Sequence, residues 1–144
     1  MKIFLILLII AFSLCVQNTA TSETNLVVYV VDGDTIDLEN GESIRLIGIN
    51  APERGEDCYY EATTKLEGLV LNKNVRLEKD VRDADIYDRS LRYVYVGNLF
   101  VNLEMVRTGY AYADSVEPDV KYSNQITNAE DFANQVYPTW IRVV

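Results

Sequence analysis

The chain has 144 residues, with 22 acidic and 13 basic side chains, a formal charge of −9, two cysteines and no histidine. That length accommodates one domain with a real core and excludes two sizeable ones. Without histidine there is no Ser-His or Cys-His catalysis and no histidine zinc site, so any chemistry must run on carboxylates, arginine, lysine, tyrosine or a metal held by oxygen.

The opening MKIFLILLIIAFSLC sets Lys2 before an almost uncharged apolar run to about residue 16, the pattern of a secretory signal. The run is too short for a comfortable membrane span. Cleavage after Ala20 is expected, although Asn18 is a poor match three residues earlier, and an uncleaved anchor is the alternative. Leu14 before Cys15 argues against a lipid-modified cysteine. The expectation is a signal over 1–20 and one domain over 21–144, secreted or held in the cell envelope or periplasm, monomeric, with no stable membrane association after cleavage. Removing 1–20 takes away Lys2 and no acid, leaving 22 acids against 12 bases, or −10. Nine of those 12 bases lie from Arg45 to Arg92, interleaved with ten acids, so no basic patch marks a phosphate-bearing partner. Cys58 would then be the sole cysteine, with nothing inside the chain to pair with.

Along the domain, NLVVYVV (25–31), TIDLEN (35–40) and SIRLIGI (43–49) read as three antiparallel strands joined by turns at Asp32-Gly33 and Asn40-Gly41. Asn-Gly is a type I′ hairpin signal, with positive φ expected at both positions. Ala62, Leu66, Leu69 and Val70 recur at helical spacing in 60–72, and Glu61 suits the positive end of that helix dipole. VRLEKD (75–80) and SLRYVYV (90–96) read as the fourth and fifth strands. VNLEMVRTG (101–109) reads as a short helix capped by Asn102 and ended by Gly109. A last helix over 123–135 sets Ile126, Ala129, Phe132 and Ala133 on one face, with Pro138 and Trp140 beyond it. Five short strands, with a helix between the third and fourth, predict an α+β, mainly β fold: a five-stranded OB-fold barrel carrying three helices.

Four places concentrate polar chemistry. Asp32 and Asp34 flank a glycine, which is ordinary turn chemistry, or else a pair of hard oxygen ligands on a rigid corner. Arg45 interrupts a strand that is apolar on both faces, so it needs either an internal ion pair or a bound anion. Glu53 follows Ala51-Pro52 and gains meaning only if a cation and an activated water lie beside it. Arg89 sits among Asp83, Asp85 and Asp88, as a solvated network or as a second anion clamp.

Taken in order, DGDT (32–35), RLIGINAPE (45–53), DIYDRSLRYVYV (85–96) and VNLEMVRTGYA (101–111) resemble the staphylococcal nuclease (thermonuclease) family, as do CYYEA (58–62) and Trp140. The resemblance runs from about Leu26 to Trp140. It implies calcium-dependent cleavage of phosphodiesters in DNA and RNA on an OB-fold barrel. Asp34 and Asn50 would be ligands to calcium together with the carbonyl of Ala51, Glu53 would be the general base, Arg45 and Arg89 would stabilise the phosphorane, and Tyr87 would border the nucleotide.

Three positions depart from that pattern. Asn50 stands where the family commonly has Asp, keeping an oxygen donor but losing a charge. Asp88 replaces the usual glycine before the second arginine, where it either accepts the same turn or competes for Arg89. Ile86 replaces a lysine. With the acidic total, these predict weak, salt-sensitive nucleic-acid binding, and they keep open a second expectation: a secreted OB-fold module that binds nucleic acid or protein without cutting.

Overall fold

The computed structural model describes residues 25–137. The expected signal and its cleavage site, Pro138 and Trp140 lie outside the described residues. The strands are β1 (Val27–Asp32), β2 (Thr35–Leu38), β3 (Ser43–Leu46), β4 (Ile49–Asn50), β5 (Arg76–Glu78), β6 (Ser90–Val96), β7 (Leu99–Phe100) and β8 (Tyr112–Ala113). The helices are α1 (Tyr59–Val70), α2 (Val101–Arg107) and α3 (Ser123–Val136). Among the described residues no helix is long and apolar enough to cross a membrane.

A six-stranded sheet runs β1-β2-β3-β6-β5, with β7 paired to β6, while β4 and β8 form a separate two-stranded sheet. All pairings are antiparallel except β3 with β6, which runs parallel. The five expected strands and three helices are present. The sheet does not close, so the architecture is the α+β OB-type fold as an open barrel.

The core collects Val27, Val30, Ile36, Leu38, Ile44, Leu46 and Ile49 from the first strands, Leu66 and Val70 from α1, Tyr93 and Val94 from β6, Met105 and Val106 from α2 and Ile126 from α3. On β2 and β3 the buried apolar residues Ile36 and Leu38, and Ile44 and Leu46, recur with the two-residue period of the pleat. Burial of these side chains supplies the main stabilisation, at about 1.5–3 kcal/mol for each large one.

Four local readings are corrected. The expected strand 43–49 is broken after Leu46, because Gly48 takes φ +79 and turns the chain into β4. The Asn40-Gly41 turn is not type I′, since only Gly41 has positive φ (+86). Gly41 N–H instead bonds Leu38 O at 2.9 Å and Asn40 Oδ1 accepts Glu42 N–H at 2.9 Å, a type I turn followed by a left-handed glycine. Asn102 does not cap α2. It lies inside the helix, fully buried, accepting Val94 N–H at 2.9 Å and donating to Ile47 O at 2.9 Å. Phe132 is 46% exposed and leaves the inner face of α3 to Ile126, Ala129 and Ala133. The strand pair β4–β8 has no forerunner in the sequence reading, because two-residue strands carry no period.

Candidate active site

The β1–β2 corner is built around a close approach. A Cβ on Gly33 would come within 2.5 Å of Ala51 Cβ and 2.8 Å of Ala62 Cβ, so only glycine lets the corner seat against the 51–58 loop and α1. Asp34 N–H bonds Asp32 Oδ1 at 3.0 Å, making Asp32 the turn residue and sending the Asp34 side chain inward. Leu46 N–H then bonds Asp34 O at 2.9 Å, tying that corner to β3.

Asp34 is 5% exposed and fully engaged. Its Oδ2 accepts Ala51 N–H at 2.8 Å, and its Oδ1 accepts Thr35 Oγ1 at 3.0 Å and lies 3.2 Å from Arg45 Nε. Burial pushes its carboxyl up to about 6, against the pull of Arg45 and the Ala51 N–H, with the Asp32 charge adding to the rise. Any cation brought to this oxygen pair would favour the ionised form.

Arg45 pairs in register with Thr35 on β2 and Leu91 on β6. Its guanidinium is held by four oxygens besides solvent: Nη1 donates to Leu46 O at 2.7 Å and Ile49 O at 2.9 Å, Nη2 to Asn50 Oδ1 at 3.3 Å, and Nε faces Asp34. The turn at Gly48 is therefore what answers the puzzle of a cation in an apolar strand. It folds the carbonyl of Ile49 and the amide of Asn50 back onto Arg45.

Arg89 reaches the same region from the start of β6. Its Nε and Nη2 both lie 2.7 Å from Asp85 Oδ2, and Nη1 donates to Thr35 Oγ1 at 3.4 Å. Asp85 Oδ1 accepts the backbone N–H of Tyr87 at 2.9 Å and of Arg89 at 3.0 Å, and these N–H groups and the guanidinium overcome its partial burial to hold its carboxyl below the usual range. Asp88 takes φ +63, adopting the glycine turn, and Arg89 pairs with Asp85 instead of Asp88. The Tyr87 ring is 74% exposed, with its centroid 5.4 Å from Arg89 Cζ.

Arg45 and Arg89 line one cleft of about 190 Å³, with Arg82, Asp85, Asp114 and Asp119 on its walls. The structure thus brings together Asp34, Arg45, Asn50, Ala51 and Arg89, with Tyr87 at Arg89. Glu53 is exposed on the 51–58 loop, where its N–H bonds Glu56 Oε2 at 2.6 Å, and it is not among the residues that line the cleft. Thr35, whose hydroxyl contacts both Asp34 and Arg89, was legible as the last residue of DGDT but went unused. Arg82 and Asp119 went unseen because they meet across 37 residues.

Asp34 and Asn50 offer hard oxygens on one guanidinium, and the Ala51 carbonyl adjoins them, a donor set that fits calcium in kind though it carries a single charge. Among the described residues no three His, Cys, Asp or Glu side chains converge on one point. Two guanidiniums near one buried carboxylate, on the corner of an open barrel, put the chain in the class of OB-type domains with a charged cleft.

Comparison with known proteins makes the class specific. A family profile described as Staphylococcal nuclease homologue matches residues 43–136. The chain is 30% identical over 128 residues to the thermonuclease of Staphylococcus hyicus, covering 83% of this chain and 76% of that protein. With the thermonuclease of Staphylococcus intermedius it shares 34% over 122 residues, 78% of this chain and 73% of the relative. An uncharacterized endonuclease of Haemophilus influenzae is 36% identical over 116 residues, 78% of this chain and 64% of that protein. The chain belongs to the staphylococcal nuclease family.

Proposed function

We propose that this chain is a calcium-dependent nuclease that hydrolyses phosphodiester bonds in DNA and RNA, made with a signal over 1–20 that directs the domain over 21–144 to secretion. The observation that carries this is the cleft: the guanidiniums of Arg45 on β3 and of Arg89, the residue before β6, line one space beside the buried Asp34. The relatives named thermonuclease and endonuclease support the same reading.

The chemistry follows from the parts. Arg45 and Arg89 bind the non-bridging oxygens of one phosphate, in the two-pronged manner a guanidinium allows, and the charge that grows on those oxygens is stabilised most where donors are already fixed. Calcium, held by Asp34, Asn50 and the Ala51 carbonyl, would supply charge neutralisation at the same phosphate. Glu53, as general base, takes a proton from the attacking water.

A second reading is a binding module that does not cut. It is favoured by Arg45 and Arg89 both being engaged by internal oxygens and by the missing charge at Asn50. The purified chain incubated with single-stranded DNA and with RNA, calcium raised to millimolar levels against an EDTA control, separates the two. Cleavage that needs calcium supports the nuclease; a folded chain that cuts neither polymer at any calcium level leaves the binding module.

A further inference from the structure

The outer face of α1 carries a groove that the proposed reaction does not use. Tyr60, Glu61, Thr64 and Lys65 of α1 and Tyr110, just beyond α2, line a space of about 370 Å³. Tyr60 is 78% exposed, yet it is not loose. Its ring meets Tyr59 edge-on at 5.2 Å, and the Tyr59 hydroxyl donates to Val31 O at 3.2 Å, so a buried neighbour supports it. On the groove's other side Lys65 Nζ lies 5.7 Å from the Tyr110 ring centroid and 3.9 Å from Glu104 Oε1, at the limit of pairing.

The lining has the chemistry of a nucleotide. Phenol rings offer a stacking face to any base. An ammonium takes a phosphate, and the Glu61 carboxylate can accept from the exocyclic amine of cytosine. A duplex keeps its bases stacked internally and presents two rows of phosphate to an acidic protein, so a single strand is the form that fits.

We infer that this groove is a nucleotide subsite for the single-stranded part of the substrate, with a base stacked on Tyr60 and a phosphate on Lys65. It deepens the nuclease reading and rests on it for the identity of the substrate. It adds a preference for unpaired strands long enough to reach from the cleft to α1.

The test is fluorescence anisotropy with the Glu53→Gln chain in calcium, using labelled oligodeoxycytidine of about 12 nucleotides, within the span a single-strand site covers. A dinucleotide and a duplex of the same length serve as controls. Adding Tyr60→Ala should weaken binding of the long strand about tenfold, the worth of one stacked base. Tyr60→Trp should restore the affinity, and the dinucleotide and duplex should not respond. Equal affinity of Tyr60→Ala and its parent for the long strand, or an equal loss on all three probes, would overturn the inference. The nuclease reading is scored separately by cleavage with Glu53 intact. A chain that cuts but ignores Tyr60→Ala loses the groove alone, and one that does not cut but binds the strand through Tyr60 keeps it.

Discussion

At the residue scale, Asn50 and Asp88 are the two positions near the paired arginines where this chain departs from the pattern the resemblance implies. Asn50 keeps an oxygen on Arg45 but brings no charge to the Asp34 corner. Asn50→Asp should therefore lower the calcium concentration giving half-maximal cleavage, and an unchanged calcium curve would remove Asn50 from the ligand set. Asp88 holds φ +63, which costs a side-chain residue about 1–2 kcal/mol relative to glycine and is milder for Asp. Asp88→Gly should raise the melting temperature by a few degrees, and because Arg89 pairs with Asp85, it should leave that ion pair intact. A lower melting temperature would show that the Asp88 side chain stabilises the turn.

At the element scale, the β1–β2 corner, β3 and the 51–58 loop are one mechanical unit. Gly33→Ala drives a Cβ to within 2.5 Å of Ala51 Cβ, so the loop must shift, at about 1–3 kcal/mol of overpacking. The shift also pulls the Ala51 N–H from Asp34 Oδ2, so cleavage should fall by more than the lost stability explains. Activity retained at full level by a destabilised Gly33→Ala would uncouple the corner from the site. Much of this unit was legible: β6 matches its expected span, α1 begins one residue early, and Asp34, Arg45 and Arg89 converge as the motif order implied. What was not legible has physical causes. The break after Leu46 depends on Gly48 adopting a left-handed backbone, which an apolar run conceals. The inward role of Asn102 depends on Ile47 and Val94 arriving from elsewhere, while in sequence it reads as an ordinary cap. The bulge that exposes both Val28 and Tyr29 breaks an alternation that β-branched residues alone would continue.

At the scale of the whole molecule, the wall of the cleft is joined by Asp119. Its Oδ1 accepts Val81 N–H at 3.0 Å and Arg82 N–H at 2.8 Å, and its Oδ2 pairs with Arg82 Nε at 2.5 Å, linking the segment before β6 to the one before α3. Although burial opposes it, these N–H groups and the Arg82 charge hold the carboxyl below its ordinary value. The sign follows from linkage: a depressed native value contributes stability above the unfolded value of 3.8, and this is lost as pH falls through the native one. Urea midpoints should thus fall on acidification below pH 4, and Asp119→Asn should flatten that fall while costing about 2 kcal/mol near neutrality. Midpoints that track the native chain at every pH would show that Asp119 does not bind the two segments.

The central claim is that the cleft between Arg45 and Arg89 performs hydrolysis with Glu53 as base. It is tested most directly by single-turnover cleavage of labelled single-stranded DNA in saturating calcium, comparing the native chain with Glu53→Gln. The account predicts a cleavage rate lower by about 10²–10⁴-fold in the variant, the worth of a general base, with strand affinity little changed. Equal rates in the two chains would contradict it.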